Sequence, residues 1–107
     1  MNYKIFIIAD AEEDLYEIYN YVAVYDSVEK AEKLLTKLEE TCNSLSTFRK
    51  RGHIPPELER IGVLDYREIH CMPYRIIYQI IESIVYFHCV LDGRRDLQEL
   101  LEKRLLR

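Results

Sequence analysis

A chain of 107 residues with 49% hydrophobic and 32% charged residues fits one small domain, spanning residues 1–107, and leaves little room for a second. Three glycines and three prolines are too few for a disordered or fibrous protein, and folding at this length buries about 65% of the unfolded surface, enough for one core but not for a deep cofactor chamber. A formal net charge of −4 argues against a strongly nucleic-acid-binding protein, so the expectation is a surface site or shallow groove.

In chain order, Tyr3 to Ile8 (YKIFII) is a short aromatic and β-branched run that predicts a first strand. Asp10 is placed to cap a helix, with Glu12, Glu13 and Asp14 in its first turn. Ala11, Leu15, Ile18, Tyr19, Val22 and Tyr25 follow at helical spacing. Asp26 and Ser27 interrupt that pattern and offer caps for a second helix, whose stripe is Ala31, Leu34, Leu35, Leu38, Cys42 and Leu45. Residues 49–65, with Gly52, Pro55-Pro56 and Gly62, have no sustained period and read as a loop with at most one helical turn. Three strands are then predicted, Tyr66 to Cys71, Tyr74 to Ile81 and Ile84 to Leu91, separated only by Met72-Pro73 and Glu82-Ser83. Breaks this short imply an antiparallel meander. After Asp92-Gly93, the segment 94–106 places Leu97, Leu100, Leu101 and Leu105 on one helical face. The fold class is therefore α+β: an N-terminal strand, a helical hairpin, a three-stranded antiparallel sheet packed on the helices, and a short C-terminal helix.

If both turns hold two residues, the strand register follows. One face then collects Ile69, Cys71, Tyr74, Ile76, Tyr78, Ile80, Val85, Phe87, Cys89 and Leu91, with Arg67 as its single interruption. The opposite face collects Tyr66, Glu68, His70, Arg75, Gln79, Tyr86 and His88. A carboxylate, two imidazoles and a guanidinium within a few strand spacings suit general acid-base work with an oxyanion clamp; a wet sheet face with cross-strand pairs is the alternative. His70-Cys71 and His88-Cys89 do not make a zinc site, because adjacent strand residues point to opposite faces. There is no Walker A, G-x-G-x-x-G, H-E-x-x-H or G-x-S-x-G pattern, and neither a metal nor a cofactor is expected.

Charge is divided unevenly along the chain. Residues 1–48 carry four lysines and ten acidic residues, and residues 49–107 carry eleven basic and nine acidic ones, including all nine arginines. A basic second half that faces an anionic partner is one reading, and a solvated mixture of charges is the other. No apolar run approaches the roughly 20 residues that span a bilayer, and the first residues lack the order of a signal peptide. A cytoplasmic protein without a membrane partner is expected. Cys42, Cys71 and Cys89 cannot all pair internally and read as reduced core thiols.

Tyr66-Arg67-Glu68 followed by Tyr74-Arg75-Ile76-Ile77-Tyr78, and Leu91-Asp92-Gly93-Arg94-Arg95-Asp96-Leu97, carry a resemblance to a known family. Over nearly its full length the chain resembles the RelE/ParE superfamily, the small toxins of bacterial type II toxin-antitoxin modules, including plasmid-stabilisation modules. The resemblance implies a growth inhibitor neutralised by a cognate antitoxin, with which it forms a hetero-oligomer, and it leaves two activities open. ParE-like members inhibit DNA gyrase; RelE-like members cleave mRNA without a metal, usually on the ribosome. Arg75 and Arg95 match positions where RelE-like enzymes place catalytic arginines, and Glu68, His70 and His88 could complete an acid-base set if the protein is an endoribonuclease. The lysine pair of the ribosome-dependent type is not reproduced, since the nearby residues are Arg67, Glu68 and Ile69. Leu100 and Leu101 stand where a catalytic tyrosine is expected. The extended segment after Gly93-Arg94-Arg95-Asp96 and the acidic balance look more like the ParE branch. For target or antitoxin binding, the candidates are Arg49, Arg51, Arg67, Arg94, Tyr16 and Tyr21; Tyr19 and Tyr25 are candidates for antitoxin contact too, with core packing as the alternative because they share the apolar stripe.

Overall fold

The computed structural model describes residues 3–48 and 50–106. Strand β1 (Lys4–Ile7) leads into helices α1 (Ala9–Tyr25) and α2 (Val28–Asn43), which ends in a 3-10 turn (Ser44–Ser46). A four-residue helix α3 (Pro56–Glu59) sits in the following loop, and β2 (Tyr66–Cys71), β3 (Tyr74–Ile81), β4 (Ile84–Asp92) and α4 (Gln98–Leu105) complete the chain. The α+β architecture is the expected one. The sheet order is β1-β4-β3-β2; β1 runs parallel to β4, whereas β2, β3 and β4 form an antiparallel meander.

Helix α2 begins as expected, with the Ser27 side chain accepting from the Lys30 backbone N–H. Helix α1 does not: its N-cap is Ile8, without a side-chain cap, and Asp10 lies one residue inside the helix. An acidic first turn of Asp10 and Glu12 meets the positive end of the helix dipole instead. Tyr25, in the last turn of α1, is exposed and Tyr19 half-buried, so Tyr25 is not core.

The first hairpin has the predicted register, from Cys71 opposite Tyr74 to Arg67 opposite Tyr78. The second keeps it from Ile81 opposite Ile84 as far as Tyr78 opposite Phe87, and then shifts: Ile77 faces Cys89, Ile76 faces Val90 and Arg75 faces Leu91. His88 is the extra residue of a β-bulge, which turns the remainder of β4 over. Cys89 and Leu91 therefore leave the face assigned to them, and Val90 takes their place.

This change creates two cores. Helices α1 and α2 cover Ile69, Cys71, Ile76, Tyr78, Val85, Phe87 and Val90 with Ala11, Leu15, Leu38, Cys42 and Leu45. On the opposite face, Ile77, Cys89 and Leu91 pack under Leu58 of α3 and under Leu97 and Leu101. The expected polar sheet face is thus partly covered. The bulge is held from both halves of the chain. Asp14 Oδ2 accepts from the Val90 backbone N–H at 2.9 Å, and Arg104 donates to both Asp14 oxygens and to the His88 carbonyl. Arg67 is half-buried, and its guanidinium donates to the Gly52 carbonyl at 2.8 Å.

Candidate functional site

Beside the second core, β2 and β3 bring Glu68, His70 and Arg75 to one sheet face, as the first hairpin's register requires. Two further residues join them from the loop that sequence periodicity left unassigned. His53 forms a two-way backbone bridge to Glu68 on the outer edge of β2, with N···O distances of 3.1 and 2.7 Å. Its Nε2 lies 3.0 Å from Glu68 Oε2. Glu57, on α3, receives both terminal nitrogens of Arg75 in a fork, at 2.6 and 2.7 Å. Arg75 Nε donates to Glu68 Oε1 at 2.5 Å, so all three nitrogens of this guanidinium are committed to carboxylates.

The Glu68 side chain is 1% exposed, Arg75 13% and Glu57 14%. Desolvation makes such a pair depend on its hydrogen bonds. The fork from Arg75 holds the Glu57 carboxyl below its usual range, against a smaller opposing effect of burial. The same contact with Glu57 raises Arg75 further above its ordinary value; burial opposes this and Glu68 reinforces it. His70 stands at the rim, its Nε2 3.6 Å from Glu68 Oε1.

His88 does not join this group. Its Nε2 meets Gln79 Oε1 at 3.1 Å, and its ring packs edge-on against Tyr66, with centroids 5.3 Å apart. Burial, and then the nearby Arg104, push its pKa down, which favours a neutral imidazole. The proposed acid-base set is therefore split: Glu68, His70 and Arg75 come together, and His88 belongs to the bulge.

Arg95 and Arg94 lie in the turn after β4. Gly93 is pressed onto Arg75, since a Cβ there would lie 2.8 Å from Arg75 Cγ, and its N–H donates to the Pro73 carbonyl at 2.8 Å. That contact fixes the turn beside the Arg75 cluster. Arg94 is exposed and grips Asp92 through Nε and Nη2, at 3.0 and 2.7 Å. These bonds to Arg94 pull the Asp92 carboxyl down to about 2. Arg95 is exposed, and its guanidinium has no hydrogen-bond or ion-pair partner among the described residues. Arg51 is exposed as well, and Arg49 lies outside the described residues.

On the helical side, Tyr16 and Tyr21 are both exposed. Tyr16 lines an apolar groove between β1, α1 and α2, with Ile7, Leu15, Tyr19 and Leu35 and an acidic rim of Glu12, Glu13 and Glu39. Tyr21 packs against Tyr25 near the α1–α2 turn, with ring centroids 4.8 Å apart and the planes tilted by 40°. No helix is long and apolar enough to cross a membrane among the described residues.

His53 and Glu57 had no signal in a periodicity reading, because both sit in a loop. The only available hint was Pro55-Pro56 followed by acidic residues, a start signal for a short helix.

Residues 5–97 match the family described as the ParE toxin of the type II toxin-antitoxin system, parDE. Among solved structures, a chain of the chromosomal ParDE toxin-antitoxin system from P. aeruginosa superposes with a TM-score of 0.71 at 18% sequence identity, covering 84% of this chain and 95% of that one. A chain of the toxin-antitoxin complex RelBE2 from Mycobacterium tuberculosis gives a TM-score of 0.64 at 17% identity, covering 86% and 92%. At such identities the likeness is one of fold. No curated protein matches the sequence significantly. The family match runs from β1 through the meander to the Arg94-Arg95 turn, and the chain belongs to the ParE toxin family of type II toxin-antitoxin systems, within the RelE/ParE superfamily.

Proposed function

We propose that this toxin arrests growth by inhibiting DNA gyrase in the cytoplasm, and that a cognate antitoxin neutralises it. The observation that carries this reading against mRNA cleavage is the engagement of Arg75. A guanidinium that must stabilise a phosphorane-like charge needs its donors aimed at the phosphate, and here each of its three nitrogens donates to Glu68 or Glu57, with the terminal fork turned onto Glu57 and one N–H left on each terminal nitrogen. The cluster of Arg75, Glu57 and Glu68 carries a net negative charge, which repels a phosphate backbone. His88 is held apart as well, so the acid-base set read from the sequence is not assembled in full. Target contact then falls to exposed residues such as Arg51 and Arg95.

The antitoxin reading is supported by the related folds, which were crystallised from a ParDE system and a RelBE2 complex. In this chain the apolar groove between α1 and α2, with its acidic rim, suits a segment that carries aliphatic anchors flanked by lysine or arginine. Tyr16 stands at that groove and Tyr21 near the α1–α2 turn, exposed where an induced-fit partner can bury them.

A supercoiling assay tests the target. Purified toxin added in excess to gyrase, ATP and relaxed plasmid should abolish supercoiling, and addition of the antitoxin should restore it. Fully active gyrase at excess toxin, together with transcript cleavage in a translating extract, would transfer the assignment to the endoribonuclease branch.

A further inference from the structure

We infer that His53, Glu68 and His70 form a site for one borderline divalent cation, with Zn²⁺ the best fit, on the outer edge of β2. The three side chains offer two imidazole nitrogens and a carboxylate oxygen, all within 4.8 Å of one another. The backbone explains the convergence. Glu68 and His70 are i and i+2 on one strand and so share a face, and His53 is bridged directly opposite Glu68. Two strand neighbours and one cross-strand partner are thereby aimed at one point by main-chain hydrogen bonds, before any ion arrives.

The distances fit. Metal–nitrogen and metal–oxygen bonds of about 2.0–2.1 Å place tetrahedral donors about 3.3 Å apart. His53 Nε2 is 3.0 Å from Glu68 Oε2, near that spacing; His70 Nε2 lies 3.6 Å from the other carboxylate oxygen, Oε1, and its exposed ring turns toward Oε2 to complete the set. The carboxylate is fixed at 1% exposure, and the two imidazoles are 58% and 45% exposed. The carboxylate is therefore the rigid ligand, and the rings have room to adjust. Two imidazoles and a carboxylate are a donor set suited to zinc, with water completing the tetrahedron.

Arg75 is the obvious objection, because it carries a positive charge beside the site. Its Nε engages Oε1 and leaves Oε2 as the ligand atom, in the manner of the outer hydrogen bonds that orient ligating carboxylates. Glu57 offsets its charge through the fork, so the cation meets an environment that is net negative. His53 Nε2 and Glu68 Oε2 share a hydrogen bond of 3.0 Å, and a neutral ring that ligates through Nε2 carries its proton on Nδ1. The consequence for the fold is a clip between β2 and the loop that bears Arg51.

Equilibrium dialysis of the purified full chain against micromolar free Zn²⁺, followed by metal analysis, tests the site. One retained zinc per chain is expected, together with a thermal midpoint raised by several degrees. His53→Ala and His70→Ala should each weaken binding at least tenfold, and the double variant should retain none. Both positions are at the rim, and circular dichroism verifies that the variants fold. Co²⁺ as a spectroscopic probe should give tetrahedral ligand-field bands without thiolate charge transfer, which separates this site from the three cysteines. No retained zinc in the wild type, undiminished zinc in the double variant, or a thiolate band would each overturn the assignment.

Discussion

At the scale of single residues, Arg75 dominates the second sheet face through what it holds rather than through what it could react with. Removing it leaves Glu68 buried at 1% exposure with a carboxylate that has lost its guanidinium. Arg75→Ala should therefore destabilise the fold by about 3 kcal/mol, the low end for removing one partner of a buried ion pair, as read by urea unfolding. A loss below about 1 kcal/mol would mean that water replaces the guanidinium freely. The same variant should lose part of its acid sensitivity. The Arg75 fork holds the Glu57 carboxyl below the usual carboxylate range in the folded chain, so its stabilisation is complete above that range and is lost as pH falls through the lower folded pKa; without Arg75 that acid limb flattens. Loss of toxicity in Arg75→Ala consequently says nothing about catalysis unless folding is measured alongside. Glu68, His70 and Arg75 were legible as neighbours because a two-residue turn dictates the register of the first hairpin. His53 and Glu57 were not, because a loop has no period from which to place a side chain.

At the scale of elements, the difference between expectation and structure is one residue in β4. Nine residues of β4, Ile84–Asp92, run against eight of β3, Tyr74–Ile81, and His88 absorbs the excess. The run Cys89-Val90-Leu91 is apolar at every position, so alternation could not tell which of the three faced which side. The signal was present in another form: Leu97, Leu100, Leu101 and Leu105 make an amphipathic stripe that needs an apolar sheet face to cover. Pairing that stripe with the supposedly wet face would have required Cys89 and Leu91 there. Leu101 is fully buried over that core, and Leu101→Ala should cost about 3 kcal/mol through lost burial and the cavity left behind. Burial holds the Cys89 thiol up at about 12, and a thiol-specific reagent should therefore react slowly with the native protein. In Leu101→Ala, Cys89 should become the fast-reacting thiol while Cys42, beneath α2 in the other core, keeps its native rate. Equal acceleration at all three cysteines would show that the two cores open as one unit.

At the scale of the whole molecule, folding pairs off most of the described arginines of the basic second half. The acidic first half lends Asp14 to Arg104, and Arg75 is neutralised by Glu57 and Glu68. Arg94 is neutralised by Asp92. Arg60 is bonded to Gln98, and Arg67 to backbone carbonyls. Among the described residues, five of the seven guanidinium groups thus have partners within the chain. Exposed guanidinium groups without partners among the described residues are found at Arg51 and Arg95, the first in the loop before β2 and the second in the turn after β4. Two small cationic spots, Arg51 beside Lys50 and Arg95 beside Arg94, suit a specific protein contact better than a polyanion, whose affinity grows with the number of phosphates neutralised. The double variant Arg51→Glu/Arg95→Glu should accordingly lose growth arrest on induction and lose gyrase inhibition in vitro. Its unfolding free energy should stay within about 0.5 kcal/mol of the wild type, as expected for surface substitutions that break no buried contact. Retained arrest would move the target contact away from these arginines and onto the exposed tyrosines of α1, where Tyr16 and Tyr21 already project into solvent.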